Sequence, residues 1–232
     1  MTAVAPRIEP LADDAWLVTL GAGADPATNR RVHGLAARIG AAAPEWLVDL
    51  VPAHASLAVF FDPAHGSAAG VRAWLLAVAV AAEPHALPTG EVCVVEVPVA
   101  YGGDFGPDLE SAAARLGLDP DELAAAHAGA EYTVAMVGFA PGFPYLSGLD
   151  PRLALERHST PRARVPAGSV GIGGAQTGIY PREGPGGWQL LGRTPLRLFD
   201  PGADPPALLR PGDAVRFRRI DATEFARLEA RQ

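Results

Sequence analysis

Lysine is absent from this sequence, whose 19 basic residues are all arginine. A Walker A phosphate loop, a Schiff-base enzyme and a biotin carrier each require a lysine amine. The absence excludes these mechanisms for this chain alone, so any such amine has to come from another chain.

Cysteine is nearly absent as well, because Cys93 is the single one. One thiol forms neither an internal disulfide nor a cysteine-only metal site. Cys93 lies in the alternating run Glu91–Val97, with no histidine nearby in sequence. We interpret it as a packed strand thiol rather than a nucleophile. No histidine and carboxylate spacing is typical of a metal site either, so we predict no protein-bound metal.

Basic charge and long apolar runs are also scarce. Acidic residues outnumber basic ones by 26 to 19, and a net charge of −7 repels phosphate backbones, so we expect no nucleic-acid partner. The longest apolar run, Ala73–Ala82, is about half of a bilayer span. Glu9, Asp13 and Asp14 stand where a signal peptide would be apolar. We therefore expect a soluble cytoplasmic protein with no membrane partner.

With 49% hydrophobic residues in 232, the chain has enough apolar material for a sizeable core. In its first part, the periodicity predicts the order β-α-β-β-α, typical of a small α/β sandwich domain over residues 1–88. The predicted elements are strands at 15–20, Trp46–Val51 and Ser56–Phe61, and helices at Ala27–Ala43 and Ser67–Ala82. Glu83–Gly90, with two prolines, is the predicted linker.

The second part of the sequence differs in composition, because more than half of the chain's glycine and proline residues lie between Gly138 and Gly212. Long helices cannot form there. A helical pair precedes this region, and short strands with turns indicate a β-barrel or sandwich over 91–220 before a helical tail at 221–232. The predicted helices are Asp108–Leu116 and Pro120–Ala128, and the strands Tyr132–Val137, Ser169–Ile172, Trp188–Gly192, Leu196–Phe199 and Ala214–Arg218. The predicted fold class is therefore α+β.

Two segments of the second part are candidates for a binding site. Gly138–Leu146 sets aromatic rings among glycines and prolines, which favours either a substrate wall or a plug of the barrel. Pro166–Tyr180 is glycine-rich, and its backbone N–H groups would cradle an anion or an oxyanion. Its Gln176, Thr177 and Tyr180 suit an amide-like ligand. The alternative is that these glycines only serve the strands and bulges of a tight barrel.

Several polar residues elsewhere are candidates for proton transfer or anion binding. His127 and His158 are the histidines suited to acid–base work. Asp108 stands at the start of a predicted helix, so we expect it to cap that helix rather than accept a proton. Arg162, Arg164 and Arg193 lie in the glycine-rich region and would suit a carboxylate or phosphate, although solvated arginines are the alternative.

Five motifs together resemble the family of 5-oxoprolinase B subunits, also called allophanate hydrolase subunit 1. That family includes a sporulation-kinase inhibitor and the carboxyltransferase subdomains C and D. The motifs are YGGDFGPDL at Tyr101–Leu109, GAEY at Gly129–Tyr132, GFAPGFPYL at Gly138–Leu146, the run Arg162–Pro181 and PGGWQLLGRTPL at Pro185–Leu196. The resemblance covers about Tyr101 to Phe217; the N-terminal part matches only in pattern and length.

The resemblance implies a small α/β domain followed by a cyclophilin-like β-barrel, with no prolyl-isomerase site carried over. It also implies a non-autonomous component of a 5-oxoprolinase, which opens 5-oxo-L-proline to glutamate together with a homologous C subunit and an A subunit. ATP, with magnesium as its counter-ion, would bind at an interface or to a partner, and this chain cannot carry biotin covalently. The alternatives are a regulator that inhibits a sensor histidine kinase and a carboxyltransferase component of a urea carboxylase.

The resemblance implies that the candidate residues act on the N–C=O group of an amide substrate, some as catalytic residues and others as substrate-binding residues. His127, Gln176 and Tyr180 are the predicted catalytic residues, which move protons, bind the amide and steady oxyanion charge. The predicted substrate-binding residues are Tyr101, Phe139, Phe143, Gly173, Gly174, Thr177 and Arg193. We expect the loop from Gly171 to Tyr180 to line the principal pocket with Tyr101, Phe139 and Phe143, near the interface with the C subunit.

Overall fold

The computed structural model describes residues 5–81 and 94–231. The chain divides into two compact units, residues 1–91 and 92–232. Cys93 and the predicted linker Glu83–Gly90 lie outside the described residues, so their predicted structures stay predictions.

The first unit is a four-stranded antiparallel sheet with two helices. Its elements are β1 (Arg7–Ala12), β2 (Ala15–Thr19), α1 (Pro26–Ala42), β3 (Leu47–Pro52), β4 (Ser56–Phe61) and α2 (Ala68–Val80). The strand order is β1-β2-β4-β3. The five predicted elements are present, and β1 was missed. It contains Pro10 and is an edge strand with a bulge after that residue, where a proline is tolerated.

The core of the first unit is formed by apolar residues at helical spacing in α1 and at alternate positions in β4. Val32, Leu35 and Ile39 share one face of α1, while Leu57 and Val59 alternate along β4, and all five are buried. Asp25 caps α1 by accepting from the backbone N–H of Thr28 at 2.8 Å. This unit is the small sandwich that the sequence predicts.

The second unit is built on a closed barrel of seven strands. The strands of the whole unit, inside and outside the barrel, are β5 (Val94–Tyr101), β6 (Glu131–Val137), β7 (Pro144–Ser147), β8 (Arg162–Val165), β9 (Ser169–Gly173), β10 (Gln176–Ile179), β11 (Gly184–Gly186), β12 (Gln189–Arg193) and β13 (Ala214–Ile220). The barrel order is β10-β7-β6-β13-β5-β12-β9, and β11 pairs with β8 in a separate ribbon. The predicted α+β class, a sandwich followed by a barrel, is confirmed.

Three helices accompany the barrel: α3 (Leu109–Leu116), α4 (Pro120–Ala128) and α5 (Ala222–Glu229). Asp119 and Glu122 form the predicted capping box at the start of α4, and Asp221 caps α5. The predicted strand at Leu196–Phe199 is wrong, because only Phe199 forms a bridge there, to Ala207. The backbone there meets residues 207–208 only locally, with the N–H of Leu208 donating to the carbonyl of Leu198 at 2.9 Å.

No helix in residues 5–81 or 94–231 has both the length and the apolar character needed to cross a bilayer.

Candidate functional site

An aromatic cavity of about 250 Å³ lies in the second unit, beside the Trp188 ring that packs on the glycines of β9 and β10. We call it the aromatic cavity; its lining residues are Phe139, Phe143, Tyr145, Arg157, Pro161, Tyr180, Pro185, Gly186, Gly187 and Trp188. Its volume lies just below the roughly 300–1,000 Å³ typical of sites for drug-sized ligands. The cavity is therefore suited to a small metabolite.

Phe139 stands at the rim of this cavity in an unfavourable backbone conformation. The loop between β6 and β7 turns sharply, and the N–H of Ala140 donates to the carbonyl of Gly138 at 2.8 Å. Phe139, at the centre of this γ-turn, has φ +67° and is 63% exposed. A turn of this kind is rare and strained for a residue with a side chain. An exposed ring held at this cost points to a role in binding.

Phe143 is the centre of the aromatic cluster below that rim. Its ring lies 5.4 Å from the ring of Phe139, 5.2 Å from Tyr180 and 5.6 Å from Trp188, all edge to face. The Tyr145 ring is 4.8 Å away. Edge-to-face arrangements are a favoured geometry of aromatic pairs, so these contacts stabilise the packing of the cavity wall.

The glycines of β9 and β10 make room for Trp188 rather than for an anion. A Cβ on Gly173 would lie 2.5 Å from the indole, and one on Gly178 would lie 3.0 Å from it. The N–H of Gly174 already donates to the carbonyl of Leu155 at 2.7 Å. The structure therefore favours the barrel-packing alternative for Gly173 and Gly178, and neither Gly173 nor Gly174 lines the aromatic cavity.

Two phenols face the aromatic cavity in their protonated form. Burial raises the pKa of Tyr180, an effect partly opposed by a hydrogen bond from the backbone N–H of Trp188. Burial likewise raises the pKa of Tyr145. Because Tyr180 accepts from that N–H, its own O–H proton can be donated to a ligand carbonyl.

A second group of predicted residues forms a hydrogen-bonded chain inside the barrel. The Tyr101 hydroxyl lies 2.8 Å from Nδ1 of His127, and Nε2 of His127 lies 2.9 Å from Oγ1 of Thr177. Thr177 donates its proton to the carbonyl of Gly171 at 2.9 Å. Nε2 must therefore carry the ring proton, and Nδ1 accepts from Tyr101.

His127 is completely buried, and its ring stacks on Phe217 with centroids 4.8 Å apart. Burial lowers its pKa from 6.5 to about 3, so the ring is neutral at physiological pH. It does not line the aromatic cavity. The geometry fits a histidine that positions Tyr101 and Thr177, and its catalytic role stays a prediction.

Asp108 is not the helix cap that the sequence predicts. It occupies the first position before α3, but its side chain makes no capping bond. Instead it accepts from Arg162 at 2.6 Å and from the backbone N–H of Leu190 at 2.7 Å, with Nε2 of His158 at 3.3 Å. A buried carboxylate needs such partners, which outweigh a single cap.

The remaining predicted residues lie away from the aromatic cavity. Arg193 lines a separate, more open cavity of about 640 Å³, where it donates to the carbonyl of Ala167 and lies over the Phe225 ring. Arg164 pairs with Glu183 at the surface. Gln176 is half-buried in β10 and lines neither of these two cavities. The predicted site residues therefore lie in several separate parts of the second unit. Of these predicted residues, Phe139, Phe143 and Tyr180 line the aromatic cavity.

Among residues 5–81 and 94–231, no cluster of three histidine, cysteine or acidic side chains is placed to hold a metal ion.

Sequence reasoning did not assign Arg157 or Trp188 to the site, and it included Tyr145 only as part of the candidate segment Gly138–Leu146. Tyr145 and Trp188 were available inside the motifs GFPYL and PGGWQLLG, as large aromatics among glycines and prolines. Arg157 gave no such signal, because it lies in an irregular segment and reaches the cavity only through the tertiary fold.

Comparison with known families now identifies the class of protein. Residues 6–209 match the family described as carboxyltransferase domain, subdomain C and D, and the chain belongs to that family. Among curated relatives, it is 42% identical over 233 residues to the 5-oxoprolinase B subunit of Bacillus subtilis, covering 94% of this chain and 95% of that protein.

Solved structures share the fold of this chain. The crystal structure of TTHA0988 is 40% identical with a TM-score of 0.77; the match covers 90% of this chain and 40% of that one. The K. lactis urea amidolyase, at 21% identity, a TM-score of 0.72 and coverage of 95% and 15%, shares the fold. This chain therefore spans less than half the length of either of these two proteins.

Proposed function

We propose that this protein is the B subunit of an ATP-dependent 5-oxoprolinase, which opens 5-oxo-L-proline to L-glutamate together with the A and C subunits. The observation that carries the proposal is the 42% identity to a 5-oxoprolinase B subunit over nearly the full length of both chains. The chain provides a binding surface in this assembly and is inactive alone. Because the reaction consumes ATP, we place it in the cytoplasm.

The aromatic cavity supports this proposal as the binding site for the lactam. A five-membered lactam is a small, flat ring with one polar edge, and the cavity is small, walled by aromatic rings and supplied with the Tyr180 hydroxyl. Aromatic walls exclude water and strengthen a hydrogen bond to the carbonyl. Tyr180 would then donate to the lactam oxygen, where negative charge develops during ring opening.

The energetics explain why such a reaction is coupled to ATP. The lactam nitrogen donates electron density into the carbonyl group and makes it a poor electrophile. ATP would therefore be used either to activate the carbonyl oxygen as a phosphate or to make a carboxyl donor. We propose that ATP, with magnesium as its counter-ion, binds at an interface between the proteins of the complex or on a partner. The chain has no lysine to carry biotin or to complete a Walker A loop.

A second candidate function is a carboxyltransferase component acting on urea or a related amide. The family description and the shared fold with urea amidolyase favour it. In that case biotin would be supplied by another chain. The two candidates differ in substrate, since 5-oxoproline carries a carboxylate and urea does not.

The proposed function is tested by reconstitution with the two partner proteins. Glutamate formation from 5-oxo-L-proline is measured with ATP, without ATP, and with each of the three proteins omitted in turn. We expect turnover only when this chain, both partners and ATP are all present. Carboxylation of urea by a biotin-dependent mixture, without glutamate formation, would favour the second candidate.

A further inference from the structure

Arg157 is the one charged side chain among the residues that line the aromatic cavity. Arg157 is exposed, and its guanidinium carbon lies 5.6 Å from the centroid of the Trp188 ring, a cation–π contact that places the charge over the cavity wall. Arginines on either side in sequence are paired, Arg152 with Asp150 and Arg162 with Asp108. Within the part of the chain that the structure describes, Arg157 forms no ion pair with a carboxylate.

The groups around Arg157 also favour an anion. The guanidinium lies close enough to the hydroxyls of Tyr145 and Tyr180 to lower the pKa of each, against the larger raising effect of burial. Both phenols therefore remain donors beside this cation, and the lining contains no acidic side chain. Aromatic walls alone would suit a cationic ligand, but this guanidinium would repel one.

The geometry points to Arg157 as the carboxylate anchor of the aromatic cavity, which would make this site selective for small cyclic amides that carry a carboxylate. This inference rests on the proposed function and adds the group that recognises the substrate's charge. The planar guanidinium presents two parallel N–H groups to a carboxylate, while the rings of Phe143 and Trp188 hold the ligand ring. The cavity, at about 250 Å³, is small and suits a single ring of this size.

Arg157 would thereby decide between the two candidate substrates. A neutral amide such as urea leaves the guanidinium without a partner, whereas 5-oxoproline satisfies both the guanidinium and the phenols. Selectivity of this kind arises because a site built for a charged group discriminates against ligands that lack it.

The test measures binding to the full-length chain by titration calorimetry or NMR. The probes are 5-oxo-L-proline and its uncharged amide, 5-oxo-L-prolinamide. The variant is R157Q, and the matched control is R152Q, which removes an exposed arginine outside the cavity lining. We expect R157Q to weaken 5-oxo-L-proline binding by roughly 10- to 100-fold, the range for losing a charge-assisted hydrogen-bonded pair. R152Q should bind like wild type, and the prolinamide should bind wild type and R157Q equally.

Two results would overturn the inference: no binding of 5-oxo-L-proline to the wild-type chain, or equal affinities for wild type and R157Q. The kinetics of the reconstituted enzyme separate this failure from failure of the proposed function. Turnover with the same KM in wild type and R157Q would remove Arg157 from the site and keep the oxoprolinase function. Charge-dependent binding without any turnover would keep the anchor and refute the oxoprolinase function.

Discussion

Acid should destabilise this protein through His127, well above the pH at which surface carboxylates are protonated. The unfolded chain takes up a proton on this imidazole near pH 6.5, whereas folded His127 stays neutral down to about pH 3. The stabilisation is therefore complete above pH 6.5 and is lost as the pH falls toward 3. Each pKa unit corresponds to about 1.4 kcal/mol, so about 2 to 3 kcal/mol should be lost by about pH 4.5.

The perturbation is His127→Gln, which keeps a neutral polar side chain with a donor and an acceptor but does not titrate. Urea denaturation of wild type and variant at about pH 7.5, 5.5 and 4.5 gives the free energy of unfolding at each pH. Burial also lowers the pKa of His54 in the first unit, but both proteins share that residue, so their difference isolates His127. We expect the variant to lose about 2 to 3 kcal/mol less than wild type between the highest and lowest pH.

Identical pH dependence in the two proteins would refute this reasoning. It would mean that His127 titrates near its ordinary pKa and is reached by water, as a proton carrier has to be. The predicted difference would instead support a positioning role for His127.

Three substitutions test the remaining features of the second unit. Gly173→Ala should destabilise the barrel by about 1 to 3 kcal/mol because the added methyl group would collide with Trp188. Gly184→Ala is the control, because a methyl group there meets nothing within 4 Å, and equal melting temperatures of the two variants would contradict the account. Phe139→Gly should change stability by less than about 1 kcal/mol because it relieves a positive φ, yet raise KM for 5-oxoproline several-fold, and an unchanged KM would exclude Phe139 from the site. Asp108→Asn should lower the free energy of unfolding by about 1 to 3 kcal/mol by leaving its buried partners without a carboxylate; denaturation that matches wild type would count against that buried network.

Local signals in the sequence predicted most of the fold. The helix α4 was predicted from Asp119 and Glu122, since a capping box depends only on residues three apart. Strands β4 and β9 were predicted from their short apolar runs. The strand β1 was missed because Pro10 is compatible with a strand only at a sheet edge, and sequence alone does not say which strand is at the edge.

The site was harder to predict because its contacts join distant parts of the chain. Asp108 has the sequence position of a helix cap, but its partner Arg162 lies 54 residues away and takes the carboxylate. The glycines of β9 and β10 have the composition of an anion-binding loop. In the structure they leave space for the ring of Trp188, which directly precedes β12 and is distant in sequence. Of the residues expected to share one pocket, Phe139, Phe143 and Tyr180 line the aromatic cavity; the first two lie in a single short motif, and Tyr180 ends the adjoining hairpin.

ATP-dependent release of glutamate from 5-oxo-L-proline by the reconstituted complex tests the central proposal most directly. The account predicts turnover by the complete mixture, no turnover by this chain alone, and no turnover when this chain is left out. Full activity without this chain, or no activity in a folded and fully assembled complex supplied with ATP, would contradict the proposal.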